Sequence, residues 1–121
     1  GTISSVAAVL SSEKYEESFY NYPNPFSPKH GDGVTRFNYS LPQDSDVDFR
    51  IFTMLGELVY VKSYQATDPQ GQAGPHNPAA NSGNLEWNGQ NGNGEAVLNG
   101  VYLAVLKTSA GTVMTKVAVV K

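Results

Sequence analysis

The chain of 121 residues has no cysteine, and that absence removes a disulfide framework, a thiolate nucleophile and a thiolate metal site together. Positive charge is scarce as well. Eight Lys and Arg against eleven Asp and Glu leave a formal charge of −3, and the cations are scattered singly, so no basic stripe is present to neutralise a row of phosphates. Nucleic acid is not an expected partner. No apolar run approaches the roughly 20 residues of a membrane-spanning helix, since even Ile3 to Leu10 is interrupted by Ser4 and Ser5. No transmembrane segment is therefore expected. No signal peptide is visible either, although Gly1 reads as a cloning boundary and a fragment cut from a longer precursor would have lost one. Catalytic residues are equally sparse. His30 and His76 are the only imidazoles, both in Gly/Pro-rich stretches, and no nucleophile-elbow sequence accompanies them. The expectation is a chain that is not an enzyme and uses no cofactor.

What is present is alternation. Val47, Phe49 and Ile51 alternate with Asp46, Asp48 and Arg50, the period-two pattern of a strand with one buried and one wet face. Met54-Leu55-Gly56-Glu57 reverses the chain, because Gly56 tolerates the positive φ a tight turn requires. Leu58 to Val61 returns as a second strand. A lone hairpin is marginal in water, so neighbouring segments must supply further strands. Thr35, Phe37, Tyr39 and Leu41 do so, alternating against Arg36, Asn38 and Ser40 until Pro42 ends the run. Leu85 and Trp87 share one face of a short strand. Four Asn-Gly pairs then follow, at Asn88, Asn91, Asn93 and Asn99, each a strong turn signal. Val101 to Leu106 and Thr112 to Val120 close the chain as a hairpin around Ser109-Ala110-Gly111. In the last strand Val113, Thr115, Val117 and Val119 form one face and Met114, Lys116, Ala118 and Val120 the other. A strand apolar on both sides is expected to be internal or covered. The whole pattern implies two stacked sheets with a final ribbon that another protein could grip.

Three stretches resist that pattern. Residues 1–18 read as a linker or a first edge strand, with the domain proper at 19–121. Asn21 to Pro28, NYPNPFSP, carries three prolines in six positions and is expected as a stiff, solvated connector. Its aromatics, Tyr22 and Phe26 with the neighbouring Tyr20, would close one end of the sandwich like a lid or, less economically, stack on a ligand. Gln65 to Gly83 lacks any apolar period and is dense in Pro, Gly, Asn and Gln, so disorder is expected there, with His76 exposed. Asp44, Asp46 and Asp48 are spaced like the first ligands of a calcium loop. Phe49 stands where that loop needs Gly and Leu55 where it needs a bidentate Glu, which leaves a solvated acidic face.

From NYPNPFSP onward the residues fall into an ordered set: Tyr22-Pro23-Asn24-Pro25-Phe26, Phe37-Asn38-Tyr39-Ser40-Leu41-Pro42, and Val47-Asp48-Phe49-Arg50-Ile51-Phe52 with Gly56 and Val59. The set continues with Trp87-Asn88-Gly89, Gly94, Gly100-Val101-Tyr102, Lys116 and Val119-Val120-Lys121. This resembles the C-terminal sorting domains of proteins exported by the type IX secretion system, and the related immunoglobulin-like domain of the flagellar hook-capping protein. The matching run covers about five sixths of the chain. The resemblance implies an all-β, immunoglobulin-like β sandwich of about seven antiparallel strands, at the end of a larger secreted protein of a Gram-negative bacterium. It implies that the last strands are read by the outer-membrane secretion machinery, and that the passenger domains of the same precursor lie N-terminal to it. The implied location is secreted or cell-surface, reached through the periplasm and outer membrane, with the domain then cleaved or retained.

On this chain the signal candidates are Gly100, Val101, Tyr102, Lys116, Val119, Val120 and Lys121, and the structural motif residues are Tyr22, Pro23, Asn24, Pro25, Phe26, Gly56, Trp87 and Gly89. Such a signal would be an exposed edge with a basic end, suited to strand addition rather than to a pocket. The chain departs from the family at Ser27, where Asn is common, at Asn88, where Asp is common, and in the long insertion Gln65 to Gly83. Two other roles compete with sorting. A purely structural spacer or assembly module would be followed by more chain, whereas Lys121 is expected to be the end. A carbohydrate platform would use Tyr22, Phe26, Tyr60 or Trp87.

Overall fold

Alternation decides which side of each strand is buried, and the computed structural model of the chain, which describes residues 19–78 and 84–121, follows it closely. Thr35, Phe37, Tyr39 and Leu41 are all buried while Arg36, Asn38 and Ser40 are half-buried on the other face, as the strand pattern requires. Eight strands form: β1 Tyr20–Tyr22, β2 Thr35–Leu41, β3 Val47–Thr53, β4 Leu58–Tyr64, β5 Gly74–His76, β6 Leu85–Trp87, β7 Gly100–Thr108 and β8 Gly111–Val119. All their pairings are antiparallel. One sheet is built on β2, with β1 along one side and β5 and β6 along the other; the second has the order β4-β3-β7-β8. The result is an immunoglobulin-like β sandwich.

The space between the sheets is filled by aromatic rings. Phe37 and Phe49 meet edge to face at 4.9 Å, Phe19 stacks on Phe37 at 5.6 Å, and Trp87 packs against Phe26 at 5.8 Å and Tyr102 at 5.5 Å. Phe37, Phe49 and Trp87 come from β2, β3 and β6, so burying them ties both sheets into one core. Gly56 sits at φ 93° in the β3–β4 turn, where its amide donates to the Thr53 carbonyl at 2.9 Å.

Four expectations need correction. The first is Gln65 to Gly83, of which residues 65–78 are described and are built rather than disordered. Pro69–Gly71 makes a 3₁₀ turn, and β5 pairs with the second half of β2 through Tyr39↔His76 and Leu41↔Gly74. Side chains supply what apolar periodicity does not. Asp44 and Asp46 accept the Ala73 and Ala66 amides at 2.8 and 2.9 Å, and the Tyr39 hydroxyl donates to the Gln70 carbonyl at 2.6 Å. Long-range side-chain-to-backbone bonds of this kind order a polar loop without a hydrophobic face. The second is His76, which is buried, not exposed; its ring lies parallel to Tyr39 at 4.2 Å.

The third correction concerns NYPNPFSP. Tyr20–Tyr22 pairs with Asn38 to Arg36 as a strand, and Phe26 is buried, so the segment is part of the sandwich and not a solvated connector. Pro23 and Pro25 follow cis peptide bonds. The fourth is β8, which lies at the edge of its sheet rather than inside it, with its second face open to solvent among the described residues. The expectation for residues 1–18 lies outside the described residues, as does the end of the long loop at 79–83.

Candidate functional site

The β7–β8 ribbon collects the signal candidates, and register sorts them. Tyr102 opposes Val117 and Gly100 opposes Val119 on the side where Val117 and Val119 are fully buried. Tyr102 therefore belongs to the core, with its ring against Trp87 and its hydroxyl donating to the Leu98 carbonyl at 2.7 Å. Burial raises its phenol pKa above the ordinary value. Val101, Lys116 and Val120 face the other way and are exposed. Sequence reasoning grouped residues that the fold divides into an inner and an outer set, with Gly100 and Lys121 exposed at the ribbon's end.

The motif residues Asn24 and Phe26 lie along β8. In an antiparallel ladder, alternate residues of an edge strand turn their N–H and C=O outward. Lys116, Ala118 and Val120 are those residues here. The Asn24 amide donates to the Lys116 carbonyl at 3.1 Å and accepts the Ala118 N–H at 2.9 Å. Phe26 continues the pattern with its backbone: its N–H donates to the Ala118 carbonyl at 3.0 Å, and its carbonyl accepts the Val120 N–H at 3.0 Å. A parallel bridge, Phe26↔Val119, results. Half of the edge that was expected to be exposed is thus closed by the chain itself, which is a usual defence of sheet edges. Among the described residues, the outward groups around Thr112 and Met114 remain open on this side.

What holds this latch in place is the floor beneath it. The Phe26 ring packs on Trp87, whose indole N–H donates to the Gln90 carbonyl at 2.8 Å. Gly89 has φ 75°, and a Cβ built on it would lie 2.7 Å from Pro28 Cγ. A side chain would collide there, which gives the Trp87-Asn88-Gly89 motif a packing reason. On the other side of the segment, buried Asn21 donates to the Thr35 hydroxyl at 2.9 Å, and that hydroxyl donates to the Pro23 carbonyl at 2.8 Å. The latch is pinned at both ends. Lys121 is held too, its N–H donating to the Asn99 side chain at 3.1 Å.

The other candidates distribute plainly. Phe26 and Trp87 are buried and have no face to offer a sugar, while Tyr20 and Tyr22 are exposed on β1 beside Arg36. Tyr60 is half-buried, with its phenol pKa raised by burial and then by the Glu86 charge. Asp48 holds Arg50 at 2.8 Å on the outer face of β3, and that hydrogen bond raises the guanidinium pKa. Among the described residues, no group of three or more His, Asp or Glu is arranged to hold a metal ion. No helix among them is long and apolar enough to cross a membrane. The role of Asn24 as a strand surrogate had one sequence signal: an amide between two prolines, placed where its own backbone could not join a ladder.

No family model matches the chain, and no curated protein matches it. Solved structures do. PorZ of Porphyromonas gingivalis, described as an essential bacterial surface component of the type-IX secretion system, matches over 91% of this chain at 20% identity and a TM-score of 0.55. The chain shares its fold. Dimeric latent PorU from the same organism matches over 84% of the chain at 19% identity and a TM-score of 0.52. Truncated FlgD from Helicobacter pylori matches over 84% at 19% identity and a TM-score of 0.50. The chain spans 12% of the PorZ chain, 9% of PorU and 64% of truncated FlgD. The expected likeness to type IX and hook-capping domains is thus met by the fold.

Proposed function

We propose that this chain is a non-catalytic C-terminal domain of a larger exported bacterial protein, and that it serves as the signal for type IX export and for sorting to or anchoring at the cell surface. The observation that carries this reading is the fold shared with PorZ and PorU, combined with a terminal ribbon whose outer residues Val101, Lys116 and Val120 are exposed. The chemistry is recognition. A folded sandwich presents a shaped, partly basic surface to the outer-membrane machinery, while the passenger domains of the precursor lie on its N-terminal side. No step of this function needs a cofactor.

The test is to delete residues 112–121 from the full-length precursor in a type IX-competent bacterium. Export should fall to background while the passenger remains folded in the periplasm; unchanged secretion would overturn the reading. A second reading, a structural spacer or assembly module, is favoured by the match that covers 64% of truncated FlgD. It predicts unchanged secretion after the same deletion and loss of assembly instead.

A further inference from the structure

In most antiparallel sandwiches the outer face of a sheet is polar, because only the inner face is covered. The outer face of the β4-β3-β7-β8 sheet breaks that rule. Register places Val61, Arg50, Val105 and Met114 in one row across the four strands, and Leu58, Phe52, Leu103 and Lys116 in the next. Val101 and Ala118 form a third row, with Val120 beyond. Val61, Leu58, Met114, Val101 and Val120 are between 45% and 57% exposed, too much for core residues and too apolar for a wet face. With strands about 4.8 Å apart and same-face residues about 6.8 Å apart, the apolar positions, leaving out Arg50 and Lys116, cover on the order of 300 Å². That is the size of the largest apolar patch on many monomers, which is often a functional one.

The border of the patch points to the occupant. Among outward residues of these strands, Arg50, Lys107 and Lys116 stand against one carboxylate, Asp48, which already holds Arg50. The face is basic on a chain whose formal charge is −3. A second copy laid on it would bring the same cations together, so a self-dimer is disfavoured on this face. The adjacent edge is the poorer site, since Asn24 and Phe26 occupy its outward groups from Lys116 to Val120.

We infer that this face docks a different protein, one presenting an apolar patch bordered by Asp and Glu side chains. The receptor of the domain therefore grips a sheet face rather than adding a strand to the β8 edge. That the partner belongs to the secretion machinery rests on the function proposed above; the face and its chemistry do not.

The test uses the full-length precursor in its own bacterium, with the photo-crosslinker benzoylphenylalanine at Met114 and, as control, at Glu86, outside this sheet. Met114 should give an adduct to another protein, the crosslinked peptide being apolar and flanked by Asp or Glu, and Glu86 none. Lys116→Glu should cut the adduct at least tenfold and Lys116→Arg should leave it. Asn24→Ala, which opens more of the edge, should not increase it. The inference is overturned by the absence of a Met114 adduct, by one made only with a second copy or with lipid, by one indifferent to Lys116→Glu, or by one that grows with Asn24→Ala. A Lys116-dependent adduct at Met114 in the undeleted chain, together with export left intact by deletion of 112–121, would sink the sorting role and keep the docking face. Loss of export on that deletion, with no adduct at Met114, would do the reverse.

Discussion

Replacing Asn24 by Ala isolates the latch on β8, because the side chain's two ends touch nothing but that strand's backbone in the described contacts. Each hydrogen bond contributes a net of about 0.5 to 1.5 kcal/mol. Asn24 is exposed, so water takes over part of both bonds, and the pair is worth about 1 to 2 kcal/mol. A free energy of about 1.4 kcal/mol is a factor of ten in a local opening equilibrium. Amide hydrogen exchange of Ala118 should therefore quicken by about five- to thirty-fold in the Asn24→Ala variant. Val120, bonded to the Phe26 carbonyl, should respond less, because the Phe26 ring stays anchored on Trp87. Val117 and Val119 turn toward β7 and should keep their protection. Exchange measured by NMR on residues 19–121 reads all four sites at once. Ala118 unchanged, or the whole of β8 quickened equally, would refute the latch.

The remaining predictions concern the supports around it. Gly89→Ala combines a left-handed φ of 75° with a Cβ placed 2.7 Å from Pro28 Cγ, and should cost about 1 to 3 kcal/mol in a urea titration; a neutral result would contradict the packing argument. The double variant Asp44→Ala and Asp46→Ala should speed limited proteolysis within residues 65–75 several-fold without disturbing the core, whereas an unchanged pattern would mean the loop holds itself. Tyr60, Tyr64 and Tyr102 all have phenol pKa values raised, chiefly by burial, so the unfolded chain releases those protons first as pH climbs. The contribution of these three groups should be fully present below about pH 10 and be lost above it, and a midpoint denaturant concentration that rises above that pH would refute the sign.

Much of the sandwich was legible because period-two alternation is a direct record of burial. Thr35 to Leu41 and Val47 to Ile51 could be read almost residue by residue, and Leu85 and Trp87 were correctly placed on one face of a strand. The failures share a cause. The ordering of residues 65–78 rests in part on single carboxylate-to-amide bonds from Asp44 and Asp46, whose partners lie 29 and 20 residues away in the chain, and such bonds leave no periodic trace. His76 looked exposed for the same reason: its partner, Tyr39, is brought to it only by β5 pairing with β2. The signal candidates included runs of neighbours, Gly100 to Tyr102 and Val119 to Lys121, but a strand sends neighbours to opposite faces, so Val101 and Tyr102 could not share a role. The apolar second face of β8 was visible in Met114, Ala118 and Val120. Its position at an edge was not, because strand order depends on the whole topology.

The most direct test of the central claim is transfer of the signal. A fluorescent passenger with a Sec leader should be fused to residues 19–121 and expressed in a type IX-competent bacterium and in the same strain lacking the translocon. Fluorescent protein at the cell surface or in the medium of the first strain, and in the periplasm of the second, is the predicted result. Periplasmic retention of a folded fusion in both strains would contradict it.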